Sequence, residues 1–122
     1  MRTTLAAALL LLTATPALAE ADWVEVSKSD DGTQTLYIDR SSIRITGPIR
    51  RYWERTDYLN DRKGWKQDVT LFETNCTTGQ RRILQLIVYK VDGTNESASD
   101  GTWKYVAPDT IGAAALDYVC GK

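Results

Sequence analysis

Apolar and polar residues alternate over short stretches through most of this chain between residues 23 and 106. A period of two is typical of β-strands that bury one face. Asp-Gly at 31–32 and Gly-Pro at 47–48 mark turns between these stretches. The pattern therefore predicts antiparallel strands joined by short turns. They cover residues 23–26, 35–38, 49–58, 65–76, 81–91 and 103–106, with a further short strand or turn at 41–45.

Two of these stretches make more specific predictions, one about which residues share a face and one about burial. In the stretch that begins at Trp65, Val69 and Leu71 share one face, and Asp68 and Thr70 face the other way. The run at 81–91 consists almost entirely of β-forming residues, which predicts a central strand buried on both faces.

The period changes near the C-terminus. Ile111, Ala115, Leu116 and Val119 form one apolar stripe at helical spacing, and Pro108 precedes them at a position suited to a helix start. The predicted fold class is α+β, with an antiparallel sheet of five or six strands and one C-terminal helix packed across it.

The N-terminal segment has the composition of an export signal. Arg2 gives a positive start, residues 5–12 are apolar, and Ala17 and Ala19 are small residues suited to a signal peptidase. We predict a secretory signal peptide over residues 1–19, with cleavage after Ala19, and a single domain over residues 20–122. The product is expected to be periplasmic or secreted, without a membrane span or a lipid anchor.

The chain has two cysteines, Cys76 and Cys120. In an oxidising compartment such a pair indicates a disulfide, although two free thiols or an intermolecular bridge are the alternatives. The two positions are 44 apart. Closing a loop of that size stabilises a fold by roughly 4 kcal/mol in the chain-entropy model. The bond would join the predicted helix to the end of the strand that closes at Cys76.

Charge and residue types exclude several function classes. Of the 15 Lys and Arg only Arg2 lies in the predicted signal, so 14 remain against 16 Asp and Glu. This net negative balance argues against nucleic acid as a partner. The chain has no histidine, the commonest general base and metal ligand. Asp57, Asp61 and Asp68 are candidates for a paired-carboxylate site, but their positions in or beside a turn predict solvated groups. We therefore expect no enzymatic activity, cofactor or metal.

Arginines cluster between positions 40 and 55. We hypothesise an anion-binding or protein-binding face around Arg50, Arg51, Tyr52 and Arg55, because guanidinium groups stack on aromatic rings and bind carboxylates or phosphates with two hydrogen bonds. The alternative is a solvated sheet face balanced by acidic residues, which is the more common arrangement. These acids are Glu54, Asp57, Asp61 and Asp68. Of the four tryptophans, we expect at least three to lie in the core.

A series of landmarks recurs in order along residues 20–122. They are Trp23, Tyr37-Ile38-Asp39, Trp53 followed by Asp57-Tyr58, Cys76, Arg81-Arg82, Trp103 before Pro108, and Val119-Cys120. In this order of landmarks the chain resembles the surface-adhesin protein E family of exported bacterial domains. The resemblance implies an antiparallel sheet with a C-terminal helix and one disulfide, and a role in binding to extracellular proteins.

Together these features predict an exported, non-catalytic binding domain that contacts proteins of the envelope or of a host surface. The alternative is a periplasmic protein that binds a small ligand or an anion. That alternative requires a concave pocket with convergent polar groups, which the sequence does not reveal.

Overall fold

The computed structural model describes residues 20–122, and the predicted signal peptide lies outside this range. The described residues form one antiparallel eight-stranded sheet and one α-helix. The strands are β1 (Trp23–Lys28), β2 (Gln34–Asp39), β3 (Arg44–Thr46), β4 (Ile49–Tyr58), β5 (Trp65–Asn75), β6 (Gln80–Lys90), β7 (Asn95–Ala98) and β8 (Lys104–Tyr105), and the helix is α1 (Ile111–Cys120).

The α+β prediction is confirmed, but the predicted count of five or six strands is too low. Three of the eight strands, β3, β7 and β8, have only three, four and two residues. All of their residues are exposed. The predicted stretch at 103–106 contains β8 and the one at 41–45 overlaps β3, so β7 is the strand that the sequence pattern missed. The segment at 95–98, predicted as part of a loop, forms a strand because its backbone pairs with β6.

The sheet order is β1-β2-β4-β5-β6-β7, with β3 paired to β4 and β8 paired to β6. The helix packs on one side of this sheet, which we call the inner face. Thr110 caps its N-terminus by accepting a hydrogen bond from the Ala113 backbone, and Gly121 ends it in the left-handed region at φ 73°. The buried core at this contact consists of Leu36, Ile38, Tyr52, Phe72, Ala115 and Val119.

The predicted disulfide is confirmed. Cys76 directly follows β5, Cys120 is the last residue of α1, and their Cα atoms lie 5.6 Å apart. The bond therefore ties the C-terminal end of the helix to the central part of the sheet. Among the residues described, no helix combines the length and apolar character that crossing a membrane requires.

The inner face carries polar residues, contrary to the prediction that Asp68 is solvated. Asp68 and Thr70 are buried, with 8% and 2% of their surface exposed, whereas Val69 and Leu71 lie half-buried on the opposite, outer face. An irregularity in the pairing between Trp65 and Gln67 moves Trp65 to the inner face.

Two further burial predictions are wrong. Strand β6 is not buried on both faces, since Val88 is its one fully buried residue. No tryptophan belongs to the buried core, and all four are half-buried. The reason is that the single helix covers the inner face alone, so the tryptophans that point outward keep contact with solvent, while Trp65 on the inner face borders an open cavity.

Candidate functional site

On the outer face, Arg55 lies between two aromatic rings. Its guanidinium carbon is 4.2 Å from the ring centre of Tyr37 and 5.1 Å from that of Trp23. The pairing of β2 with β4 sets Tyr37 directly opposite Arg55. Asp57, on the same face, lies 3.2 Å from the Arg55 Nε. Cation–π attraction to the two rings and the ion pair with Asp57 therefore hold the guanidinium in place on this face.

A row of charged residues crosses the same face over four strands. Strand pairing places Arg44 opposite Arg51, Arg51 opposite Glu73, and Glu73 opposite Arg82. Arg82 donates two hydrogen bonds to Glu73, of 2.9 and 2.6 Å, and lies 4.7 Å from the ring centre of Trp103. The row thus holds three guanidinium groups and one carboxylate. Arg82 of β6 already forms an ion pair with that carboxylate, Glu73.

Arg44 and Arg51 are both exposed, and within residues 20–122 neither forms an ion pair. Arg44 donates hydrogen bonds only to backbone carbonyl oxygens. With Ser42, Trp53 and Leu71, the two arginines line a depression of about 320 Å³. Like charges directly opposite each other across strands are unfavourable, and a carboxylate bound between them would relieve the repulsion.

The alternation of β4 divides the four residues of the predicted binding face. Arg51 and Arg55 share the outer face, four positions apart in β4. Arg50 points inward, where its Nε donates to the Val119 carbonyl oxygen at 3.2 Å near the end of α1. Tyr52 is fully buried, and its hydroxyl hydrogen-bonds the Thr74 hydroxyl at 2.9 Å. The structure brings Arg51 and Arg55 together and separates them from the other two, and the binding role of all four stays a prediction.

Sequence reasoning missed the partners of this outer face, namely Trp23, Tyr37, Glu73 and Trp103. The signal for Tyr37 is present in the sequence, since its strand alternates with buried Leu36 and Ile38. The register that places it opposite Arg55 depends on how β2 pairs with β4, which is a tertiary property.

The inner face holds a second cluster of charged groups. Arg81 of β6 reaches across the Phe72 ring, 4.0 Å from its centre, and its Nη1 lies 3.2 Å from a carboxylate oxygen of Glu54 on β4. Glu54 is 3% exposed, and this burial raises the pKa of its carboxyl group to about 7 despite the nearby guanidinium. Gly112 of the helix lies against Arg81, and a Cβ there would be 2.8 Å from the Arg81 Nη2.

Asp68 is the second carboxylate of this cluster, and the prediction that it is solvated is wrong. It accepts one hydrogen bond from the Tyr58 hydroxyl and another, of 3.3 Å, from the Thr70 hydroxyl. Burial raises the pKa of Asp68 above its ordinary value. Tyr58 in turn meets Trp65 edge to face, with 5.7 Å between ring centres.

Glu54, Asp68 and Arg81 face a cavity of about 300 Å³ between the sheet and the start of the helix. Its signal in the sequence is the alternate polar residues of β4 and β5, among which Glu54 and Asp68 were expected on a solvated face. No group of three or more His, Cys, Asp or Glu suited to holding a metal ion occurs in the part of the chain that the structure covers.

Comparisons with known proteins identify the fold and the family of the chain. A solved structure, that of Haemophilus influenzae protein E, matches with a TM-score of 0.55 and 16% identity, covering 81% of this chain and 83% of that one. At this identity the match shows the fold alone. No curated protein matches. The family model for surface-adhesin protein E matches residues 23–121, which confirms the resemblance seen in the sequence and points to a binding protein of the surface-adhesin type. The chain belongs to the surface-adhesin protein E family.

Proposed function

We propose that this chain is an exported, non-catalytic binding domain that contacts a protein of the envelope or of a host surface through the outer face of its sheet. The observation that carries the proposal is the Arg44–Arg51 pair, two exposed arginines directly opposite each other beside Trp53. Such a pair is unfavourable in the free protein and favourable once a carboxylate lies between the two guanidinium groups.

The composition of the outer face supports contact with a protein. Arginine and tryptophan are enriched among the residues that contribute most of the binding energy in interfaces. Arg55 is already held against Trp23 and Tyr37 in the free protein. Its side chain would therefore lose little conformational entropy when a partner binds. Arg51, four positions earlier in β4, adds an exposed guanidinium to the same surface.

The charge of this face suggests the chemistry of its partner. Glu73 forms an ion pair with Arg82, and Asp57 forms one with Arg55. Neither carboxylate is left to balance Arg51, so positive charge is in excess around it. A partner segment that carries Asp or Glu side chains complements this surface. In this proposal Arg51 and Arg55 contact the partner, and Arg50 and Tyr52 support the strand from the inner face.

The test is site-specific photo-crosslinking with the full-length chain in the cells that produce it, in the presence of host surface proteins. A photoreactive amino acid replaces Trp53 on the outer face, or Leu59 in the exposed turn before β5 as the position control. We expect an adduct of defined mass from position 53 and none from position 59.

Arginine variants then test the residues themselves. We expect Arg51→Ala together with Arg55→Ala to abolish the adduct, and Arg62→Ala, an exposed arginine in the turn, to leave it unchanged. Circular dichroism of each variant verifies the fold. Adducts of equal yield from both positions, an absence of adducts, or an adduct that survives loss of both arginines would refute the proposal.

A further inference from the structure

The inner-face cavity is separate from the outer face and is not used by the proposed function. It has a polar floor and apolar walls, the combination typical of sites for small molecules. Its volume of about 300 Å³ lies at the lower end of such sites. The floor is formed by Glu54, Thr56, Asp68, Thr70 and Arg81, and the walls by Leu36, Tyr58, Trp65, Phe72, Ile83, Leu86 and Ile111.

The floor of the cavity holds more acidic than basic side chains. Arg81 forms an ion pair with Glu54 and neutralises it. Asp68 receives hydrogen bonds from the hydroxyl groups of Tyr58 and Thr70, and within residues 20–122 it has no ion pair. Hydroxyl donors stabilise a carboxylate less than a cation does, and the floor holds two carboxylates for one guanidinium, so with both carboxylates ionised it carries one negative charge in excess.

The walls near Asp68 are aromatic. Tyr58 and Trp65 meet edge to face and both border the cavity. The faces of such rings attract cations, and the attraction increases where water is excluded. Leu36, Phe72 and Ile111 complete an apolar surface against which a hydrocarbon group could pack.

We propose that this cavity binds a small organic cation, with a primary ammonium group bound to Asp68 and an apolar body against Phe72 and Ile111. The ammonium group would form the ion pair that Asp68 does not form within residues 20–122. The carboxylates and the aromatic rings select for positive charge, and the volume limits the ligand to about the size of an aryl-ethylamine.

Three probes of similar shape and different charge test the proposal: 2-phenylethylamine, 2-phenylethanol and 3-phenylpropanoate. Each is titrated into the purified chain and followed by calorimetry and by NMR of the tryptophan indole groups. We expect the amine to bind at least about tenfold more tightly than the alcohol, and the acid to show no saturable binding. The Trp65 indole signal should shift with the amine, while that of Trp53, on the outer face, should not.

Variants test the role of Asp68. We expect Asp68→Asn, which keeps the shape and removes the charge, to weaken amine binding about tenfold or more while binding of the alcohol changes little. Arg51→Ala on the outer face is the matched control and should leave amine binding unchanged. If Asp68→Asn does not fold, Leu86→Phe, which fills the cavity, should abolish amine binding in its place. Equal affinity for amine and alcohol, no binding of the amine, or a shift confined to the outer-face tryptophans would refute the proposal.

Discussion

Arg81 and Glu54 form an ion pair across the full width of a strand that lies between them. The guanidinium extends from β6 over Phe72 of β5, and its Nη1 lies 3.2 Å from the Glu54 carboxylate on β4. The helix begins directly above, with Gly112 against the guanidinium. Three strands and the helix are thus linked through one arginine side chain.

The first prediction concerns Gly112. In a helix, Gly→Ala usually stabilises by about 1 kcal/mol. Here the added Cβ would lie 2.8 Å from the Arg81 Nη2, which its ion pair with Glu54 holds in place. We expect Gly112→Ala to destabilise the protein by roughly 1–3 kcal/mol in urea unfolding, because overpacking displaces the guanidinium.

A double-mutant cycle supplies the control for Gly112. In an Arg81→Met background the flexible methionine can move aside, so the same Gly112→Ala change should regain its ordinary stabilising effect. An identical effect of Gly112→Ala in both backgrounds would mean that the close approach to Arg81 has no energetic consequence.

The second prediction concerns pH. Burial raises the pKa of Glu54 from 4.5 to about 7, so between these values the native state binds more protons than the unfolded state. Stability should therefore fall as pH rises through this window, by up to about 3 kcal/mol, and level off above it. The pKa of Asp68 is raised as well and adds in the same direction. Urea midpoints measured across this range give the slope.

Glu54→Gln is the variant that isolates this effect. It keeps an oxygen that can accept from Arg81 and removes the titration, so the stability curve should become flatter over the same window. A wild-type stability that rises with pH through this window, or a slope unchanged in Glu54→Gln, would contradict the assignment.

The third prediction separates two arginines that are adjacent in the chain. Arg50 donates hydrogen bonds to backbone carbonyls, one of them at the end of α1, so Arg50→Ala should cost about 1 kcal/mol. Arg51 is exposed and opposite Arg44, so Arg51→Ala should be neutral or slightly stabilising, more so at low salt. Urea unfolding at two salt concentrations measures both, and equal destabilisation by the two changes would contradict the placement on opposite faces.

The fourth prediction concerns the disulfide. Replacing Cys76 and Cys120 together by Ala should lower the free energy of unfolding by about 4 kcal/mol, since the bond closes a long loop in the unfolded chain. Chemical denaturation of the variant and of the oxidised parent gives the difference. Single replacements are less informative because they leave a reactive thiol. A loss below about 1 kcal/mol would show that the bond adds little to the fold.

Much of the fold could be predicted because its signals are local. Turn residues and alternation located the long strands, and the change of period located the helix. The two cysteines indicated their own pairing, since an exported chain with one pair has few alternatives. Among the short strands, β8 lies within the stretch predicted at 103–106, and β3 overlaps the stretch at 41–45 that was left open between strand and turn. Strand β7 was missed, because backbone pairing with β6 alone defines it.

The candidate site was predicted less well, for a reason visible in β5. Alternation separates Val69 from Asp68 but does not say which face is covered. Asp68 was expected to be solvated, yet the helix packs against the face that carries the threonines and this carboxylate. Buried Asp68 is tolerated because Tyr58 and Thr70 donate to it, and these partners come together only in the folded sheet.

The sequence by itself determined the fold class, the helix and the disulfide, because each follows from the spacing of residue types along the chain. The tertiary structure alone decided that Arg51 and Arg55 share the outer face with Trp23 and Tyr37. It also decided that Glu54 and Asp68 lie in a cavity. The physical reason is that strand register and the choice of covered face depend on pairings between distant segments, and a one-residue change in register would exchange the two faces.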